Sequence, residues 1–188
     1  MARWVLPVVL VAMIATAVGA LVARQIYAEP ETSPSVVLPS DHPLPPGEQP
    51  GDPTVAGTSD AAEHPLYETV RALLQTYFDA INNRRYDQWR TVVTKNLAKI
   101  SPEKWRADFG STKDGSIVVR RIENGPVNTA RVLLSFTSVQ DLEHAPYELP
   151  EKCIHWRLVL PFTVEDGTWK LDTGVTNLAS QHEACEVP

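Results

Sequence analysis

Apolar and polar positions change rhythm twice along the chain. From Trp4 to Ala23 the run WVLPVVLVAMIATAVGALVA carries no charge, and from Glu29 to Glu63 prolines and acidic residues replace the apolar ones. From His64 onward apolar residues return at regular spacing, so residues 64–188 read as one globular domain of ordinary size.

Within that domain Leu66, Val70, Leu73, Leu74, Tyr77, Phe78 and Ile81 recur every three or four positions, which predicts a helix over 65–82 with one buried face. Pro65 suits its first turn, and Asn82-Asn83 suits its end. A shorter helix over 86–97 would turn Tyr86, Trp89, Val92 and Val93 inward. Ser101-Pro102-Glu103 then supplies a capping hydroxyl, a proline at the first helical position and a favourable negative charge for a third helix carrying Trp105.

After Phe109 the period falls to two. Strands are predicted over 116–122, 130–140, 153–164 and 168–176, divided by Asp114-Gly115, Asn124-Gly125-Pro126 and Asp166-Gly167, the last a tight hairpin. In the third strand Ile154, Trp156, Leu158, Leu160, Phe162 and Val164 share one face, while His155, Arg157 and Thr163 take the other. Pro161 marks an edge or a bulge. Helices followed by an antiparallel meander define an α+β fold, with the long helix packed on a four-stranded antiparallel sheet.

The uncharged run changes the picture from a domain to a membrane-directed chain. Its twenty residues rise about 1.5 Å each and cover about 30 Å, the hydrocarbon thickness of a bilayer. Residues 1–28 are therefore expected to form a transmembrane anchor that crosses at residues 4–23. The alternative is a secretory signal cleaved near Ala28; the run exceeds the usual apolar stretch of about 7 to 15 residues, and Arg24 interrupts the approach to the cleavage site, which favours retention. Both readings send the domain out of the cytoplasm. Cys153 and Cys185 are the chain's two cysteines, and in that setting they are expected to pair, contributing about 3 to 4 kcal/mol in the chain-entropy model.

Charge sharpens the middle segment. Residues 29–63 hold eight prolines and seven acidic residues with no Lys or Arg, so they are expected to be a disordered, extended spacer. The formal charge of −6 belongs mostly to this spacer, which leaves the domain near −1. Neither part carries the basic field that nucleic-acid binding requires, and that class is set aside.

The segment LLQTYFDAINNRRYDQWRTVVT and the closing VLPFTVEDGTWKLD together resemble the nuclear transport factor 2-like superfamily over most of residues 64–178. The chain is similar to single-pass bacterial envelope proteins with such a domain. The resemblance implies a curved sheet wrapped around a long helix to form a cone, and a place at the bacterial cytoplasmic membrane with the N-terminus inside and the domain extracytoplasmic. Such cones serve as binding modules, dimerisation domains and, in ketosteroid isomerase-like or SnoaL-like members, enzymes.

Candidate chemistry is sparse. Asp172 and His155 are the candidate catalytic residues, and with Arg157 they are the polar strand residues that could line a cone mouth; the alternative is the solvated face of a sheet. Asp141, Glu143 and His144 offer metal-ligand atoms within a DLEH run, but two prolines nearby mark a strand connection, and no metal or cofactor is expected. Arg84-Arg85 and Arg120-Arg121 read as solvated charges. GxSxG, HExxH, GxGxxG and the phosphate loop are all lacking. The expectation is a non-catalytic binding or scaffolding module for a small apolar ligand or a protein partner, with a homodimer also open. The alternative is an isomerase-like enzyme, distinguished by ionisable groups converging inside the cavity.

Overall fold

The computed structural model describes residues 44–172 and 180–185. The apolar run at 4–23 and most of the proline-rich spacer lie outside the described residues. Among the described residues no helix is long and apolar enough to cross a membrane.

Four helices precede most of the sheet: α1 (Ser59–Ala62), α2 (Tyr67–Asn82), α3 (Tyr86–Val92) and α4 (Pro102–Phe109). Helix α2 forms as its spacing requires, burying Tyr67, Val70, Leu73, Leu74, Phe78 and Ile81. It ends in a Schellman arrangement, with the Arg85 amide bonded to Ala80 O and the Arg84 amide to Ile81 O. Arg84 takes the left-handed position (φ 60°) that glycine usually fills. Its guanidinium offsets that strain by donating to the carbonyls of Ile81, Gly110 and Thr112 at 2.6 to 2.8 Å.

Helix α3 is shorter than the spacing suggested. Val93 turns extended and bridges to Leu171, and the Thr94 amide bonds Leu171 O, so the sheet takes over where the helix would continue. Helix α4 begins as expected, the Ser101 hydroxyl accepting from the Lys104 amide with Pro102 at the first position.

The sheet has six strands and is mixed, which corrects the four-stranded antiparallel expectation. The strands are β1 (Ala56–Gly57), β2 (Lys113–Asn124), β3 (Thr129–Val139), β4 (Cys153–Glu165), β5 (Thr168–Leu171) and β6 (Gln181–Ala184). They run β1-β2-β3-β4-β5, with β6 also paired to β4. β1 is parallel to β2, and the other pairs are antiparallel.

The two extra strands are short pieces whose pairing is long-range, so local alternation could not show them. Residues ahead of 64 pack on the domain as well: Val55 is fully buried, its amide bonds Gln75 Oε1, and Thr58 caps α1. Within 29–63 the prolines stop at Pro53, and apolar Val55 and Ala61 then join the core with residues of α2 and β2.

Pro161 falls where a missing donor costs least. The side of β4 away from β3 pairs with β6 at 154–157 and with β5 at 162–165, which leaves Pro161 in the gap between them. Its carbonyl accepts the Asp172 amide at 2.9 Å. The β4–β5 turn uses Asp166 (φ 51°) and Gly167 (φ 76°), the left-handed pair that a two-residue hairpin needs.

Cys153 and Cys185 form a disulfide with their Cα atoms 5.3 Å apart. It joins the first residue of β4 to the residue after β6, and the Cys185 amide also bonds Cys153 O. A bridge spanning 32 positions contributes about 3 to 4 kcal/mol by restricting the unfolded chain. Reduction should therefore lower the unfolding free energy by about 3 kcal/mol in a urea titration followed by tryptophan fluorescence. An unchanged midpoint would contradict a stabilising role for this bridge.

Candidate functional site

Two bulges in β2 decide what faces inward. Strict alternation would put Asp114 on the opposite face from Ile117 and Val119. Instead the register shifts between Gly115 and Val118, so Asp114 pairs with Ser138 while Val119 pairs with Leu134, and both point toward the helices. Ser116 sits in the shifted stretch at φ 50°. Its amide bonds Asp52 O, and its hydroxyl bonds Pro50 O. Gly115 is required there, because a Cβ would stand 2.5 Å from Gly51 O. A second shift between Val119 and Arg121 restores the original parity for Ile122.

The inward turn of Asp114 places it in a cavity of about 220 Å³ between α2 and the sheet. Tyr77, Phe78 and Ile81 come from α2, Asp108 and Phe109 from α4, Phe136, Ser138 and Gln140 from β3 and its end, and Trp156 and Leu158 from β4. His144 and Pro146, on the connection between β3 and β4, complete the lining with Thr112. The walls are mainly aromatic: Phe136 stacks on Trp156 with centroids 6.3 Å apart, and Phe78 meets Phe136 edge-on at 5.1 Å.

Asp114 is held from several sides. Asn82, at the end of α2, accepts the Asp114 amide on Oδ1 at 2.7 Å and donates Nδ2 to the Asp114 carbonyl at 2.9 Å, both bonds buried. The Ser138 hydroxyl donates to Asp114 Oδ1. Burial pushes the carboxyl from 3.8 up to about 6, with the Ser138 bond and the Arg84 charge working the other way. Tyr77 is pushed up to about 12, chiefly by burial and then by the Asp114 charge, while Trp89 opposes the shift. Trp89 Nε1 itself has no partner of good hydrogen-bond geometry. Tyr77 therefore stays neutral and able to donate across the physiological range, beside a carboxyl poised to exchange a proton near pH 6.

The residues singled out in the sequence lie elsewhere. His155 and Arg157 are on the face of β4 away from the cavity, with His155 Nδ1 2.8 Å from the Thr137 hydroxyl. Asp172 follows β5 and accepts from Thr94 Oγ1 at 3.3 Å; none of the three lines the cavity. Asp141, Glu143 and His144 do come together, offering ligand atoms within 4.8 Å of one another at the cavity rim. The two carboxylates are exposed, and His144 Nδ1 is 3.0 Å from Ser111 Oγ, an arrangement that suits a solvated strand connection.

Sequence reasoning placed Asp114-Gly115 in a turn and Tyr77 in the helix core, and so missed the site. The signal was present in Gly115, since a glycine just inside a strand is a common mark of a bulge.

No protein-family model and no curated protein matches this sequence. Among solved structures the chain is similar to a Δ5-3-ketosteroid isomerase from Mycobacterium sp., at 10% identity and a TM-score of 0.38 over 60% of this chain and 96% of that one. It is similar to a nuclear transport factor 2-like protein from Cytophaga hutchinsonii, at 12% identity and a TM-score of 0.40 over 62% of this chain and 96% of that one. An LEH-like epoxide hydrolase from M. tuberculosis shares 13% identity at a TM-score of 0.34, over 54% of this chain and 79% of that one. The element order seen here, helices first and then a mainly antiparallel sheet behind the long helix, is an α+β arrangement, as the sequence pattern predicts.

The burial of Asp114 sets a pH signature. Its folded pKa lies above the unfolded value, so the folded state binds the proton more tightly, and stability falls as pH rises from 3.8 to about 6. Above that window the ionised carboxyl costs about 3 kcal/mol. Asp114→Asn, which keeps an acceptor for Ser138, should flatten this slope and be the more stable protein at pH 7.5 by about 2 to 3 kcal/mol in urea unfolding. A variant less stable than the parent at that pH would contradict the burial cost.

Proposed function

We propose that the cavity is a proton-transfer site for a small apolar carbonyl compound. The observation that carries this reading is a buried carboxyl, raised to about 6, beside a neutral tyrosine within aromatic walls. Asp114 acts as the general base that removes a proton from carbon next to the substrate carbonyl. Tyr77 Oη donates to the carbonyl oxygen as negative charge develops on it. The protonated Asp114 can then return its proton to another carbon of the same substrate, so that no cofactor or net oxidant is consumed.

Ser138 and Asn82 do not react. They fix the direction of the carboxyl and the backbone that bears it. The volume, about 220 Å³, lies below the roughly 300 to 1,000 Å³ usual for drug-sized ligands, so the substrate is small. A purely passive apolar pocket would gain nothing from a carboxyl that costs stability at neutral pH, and this favours chemistry over simple binding.

The setting we propose is extracytoplasmic. The disulfide fits an oxidising compartment, and residues 4–23 would anchor the chain in the cytoplasmic membrane with the domain outside.

The test is deuterium exchange, followed by proton NMR, into a panel of small cyclic and β,γ-unsaturated ketones with the full chain in detergent. Exchange above buffer should fall about 100-fold or more in Asp114→Asn and about 10-fold or more in Tyr77→Phe. Its rate should rise through pH 6 as Asp114 ionises. Exchange that is unaltered in Asp114→Asn would overturn the assignment.

A further inference from the structure

A second concavity of about 630 Å³, open to solvent, is lined by Arg84, Arg85, Arg90 and Arg106 together with Tyr86 and Pro102. We infer that this groove binds a phosphate-bearing anion. Arg84 also acts on the Asp114 carboxyl, whereas Arg85, Arg90 and Arg106 have no part in the proton-transfer reading.

Arg71 is bonded to Glu68, and Arg121 and Arg131 both lie beside Glu123, yet among the described residues none of the four groove arginines has a carboxylate within ion-pair distance. Asp87 lines the groove, and Glu103 lies close enough to Arg106 to feel its charge, so the groove keeps a net positive charge. That is notable in a chain whose formal charge is −6. Like charges gathered in a concavity repel one another, and an anion held among them relieves that repulsion.

The groove is also held in shape. The Tyr86 hydroxyl is bonded to Ile100 O at 2.5 Å, and its ring stacks near Trp89 and meets Trp105 edge-on. Arg90 lies over the Tyr86 ring, 5.6 Å from its centroid. Arg84 spends Nε and Nη1 on the carbonyls of Gly110, Ile81, Asn82 and Thr112, which fixes its position at the groove edge. Arg85, Arg90 and Arg106 line one groove, and guanidinium groups so gathered suit the oxygens of a phosphate, which accepts bonds from more than one arginine. Such a phosphate could come from a soluble ester or from the headgroup of an anionic lipid beside the membrane.

The experiment reads arginine modification by phenylglyoxal, residue by residue, by mass spectrometry of the full chain. One arm adds pyrophosphate to protein in detergent. The other compares nanodiscs of phosphatidylglycerol with nanodiscs of phosphatidylcholine. Arg157, exposed on the sheet and outside the groove, is the internal control.

The expected result is at least fivefold slower modification of Arg90 and Arg106 in one arm, with Arg157 unchanged. Protection by pyrophosphate assigns a soluble phosphate, and protection by phosphatidylglycerol assigns a headgroup. In Arg85→Gln the protection of Arg106 should fall at least threefold. Equal modification with and without both probes, or protection matched by sodium chloride at the same ionic strength, would overturn the site.

Discussion

The cavity depends on one buried pair of hydrogen bonds, by which the Asn82 amide grips both the N–H and the C=O of Asp114. This contact joins the last residue of the long helix to the second residue of β2, and so sets the distance between the two layers at the point where the cavity lies. It also satisfies the buried N–H and C=O of Asp114. Around it the other constraints fall into place. Lys113 Nζ and Arg84 Nη1 reach the Asn82 carbonyl from outside, Ser138 meets the carboxyl from β3, and Gly51 packs against Gly115 from beneath.

The bulge and the clamp form one device. A strand of strict alternation would either expose Asp114 or bury a hydrophobic side chain in its place, and the cavity would close as an ordinary core. The irregular register turns a carboxyl inward among Phe78, Phe136 and Trp156, and the N-terminal segment at Pro50 to Asp52 holds the irregularity open. Burying a carboxyl is costly, and groups shifted by such burial cluster at functional sites.

Much of the frame was legible in the sequence because local spacing encodes it. The face of α2, the Ser101 cap, the turn at Asp166-Gly167, the inward face of β4 and the pairing of Cys153 with Cys185 each follow from residues close in sequence or from simple chemistry. What stayed hidden needs partners far along the chain. β1 is two residues long and exists only by pairing with Val118 and Val119, and β6 exists by pairing with 154–157. Asp114 was hidden for the same reason: its direction is set by a register shift and by Asn82, thirty-two positions earlier. His155, Arg157 and Asp172 attracted attention as polar residues on strands, and strand alternation cannot say which polar face looks into a cavity.

The account stands on the ionisation of one side chain. Carbon-13 NMR of the aspartate carboxyls, with Asp114 assigned by its loss in Asp114→Asn, reads that ionisation directly. The account predicts a resonance titrating at about 6, while a midpoint near the ordinary 3.8 would contradict it.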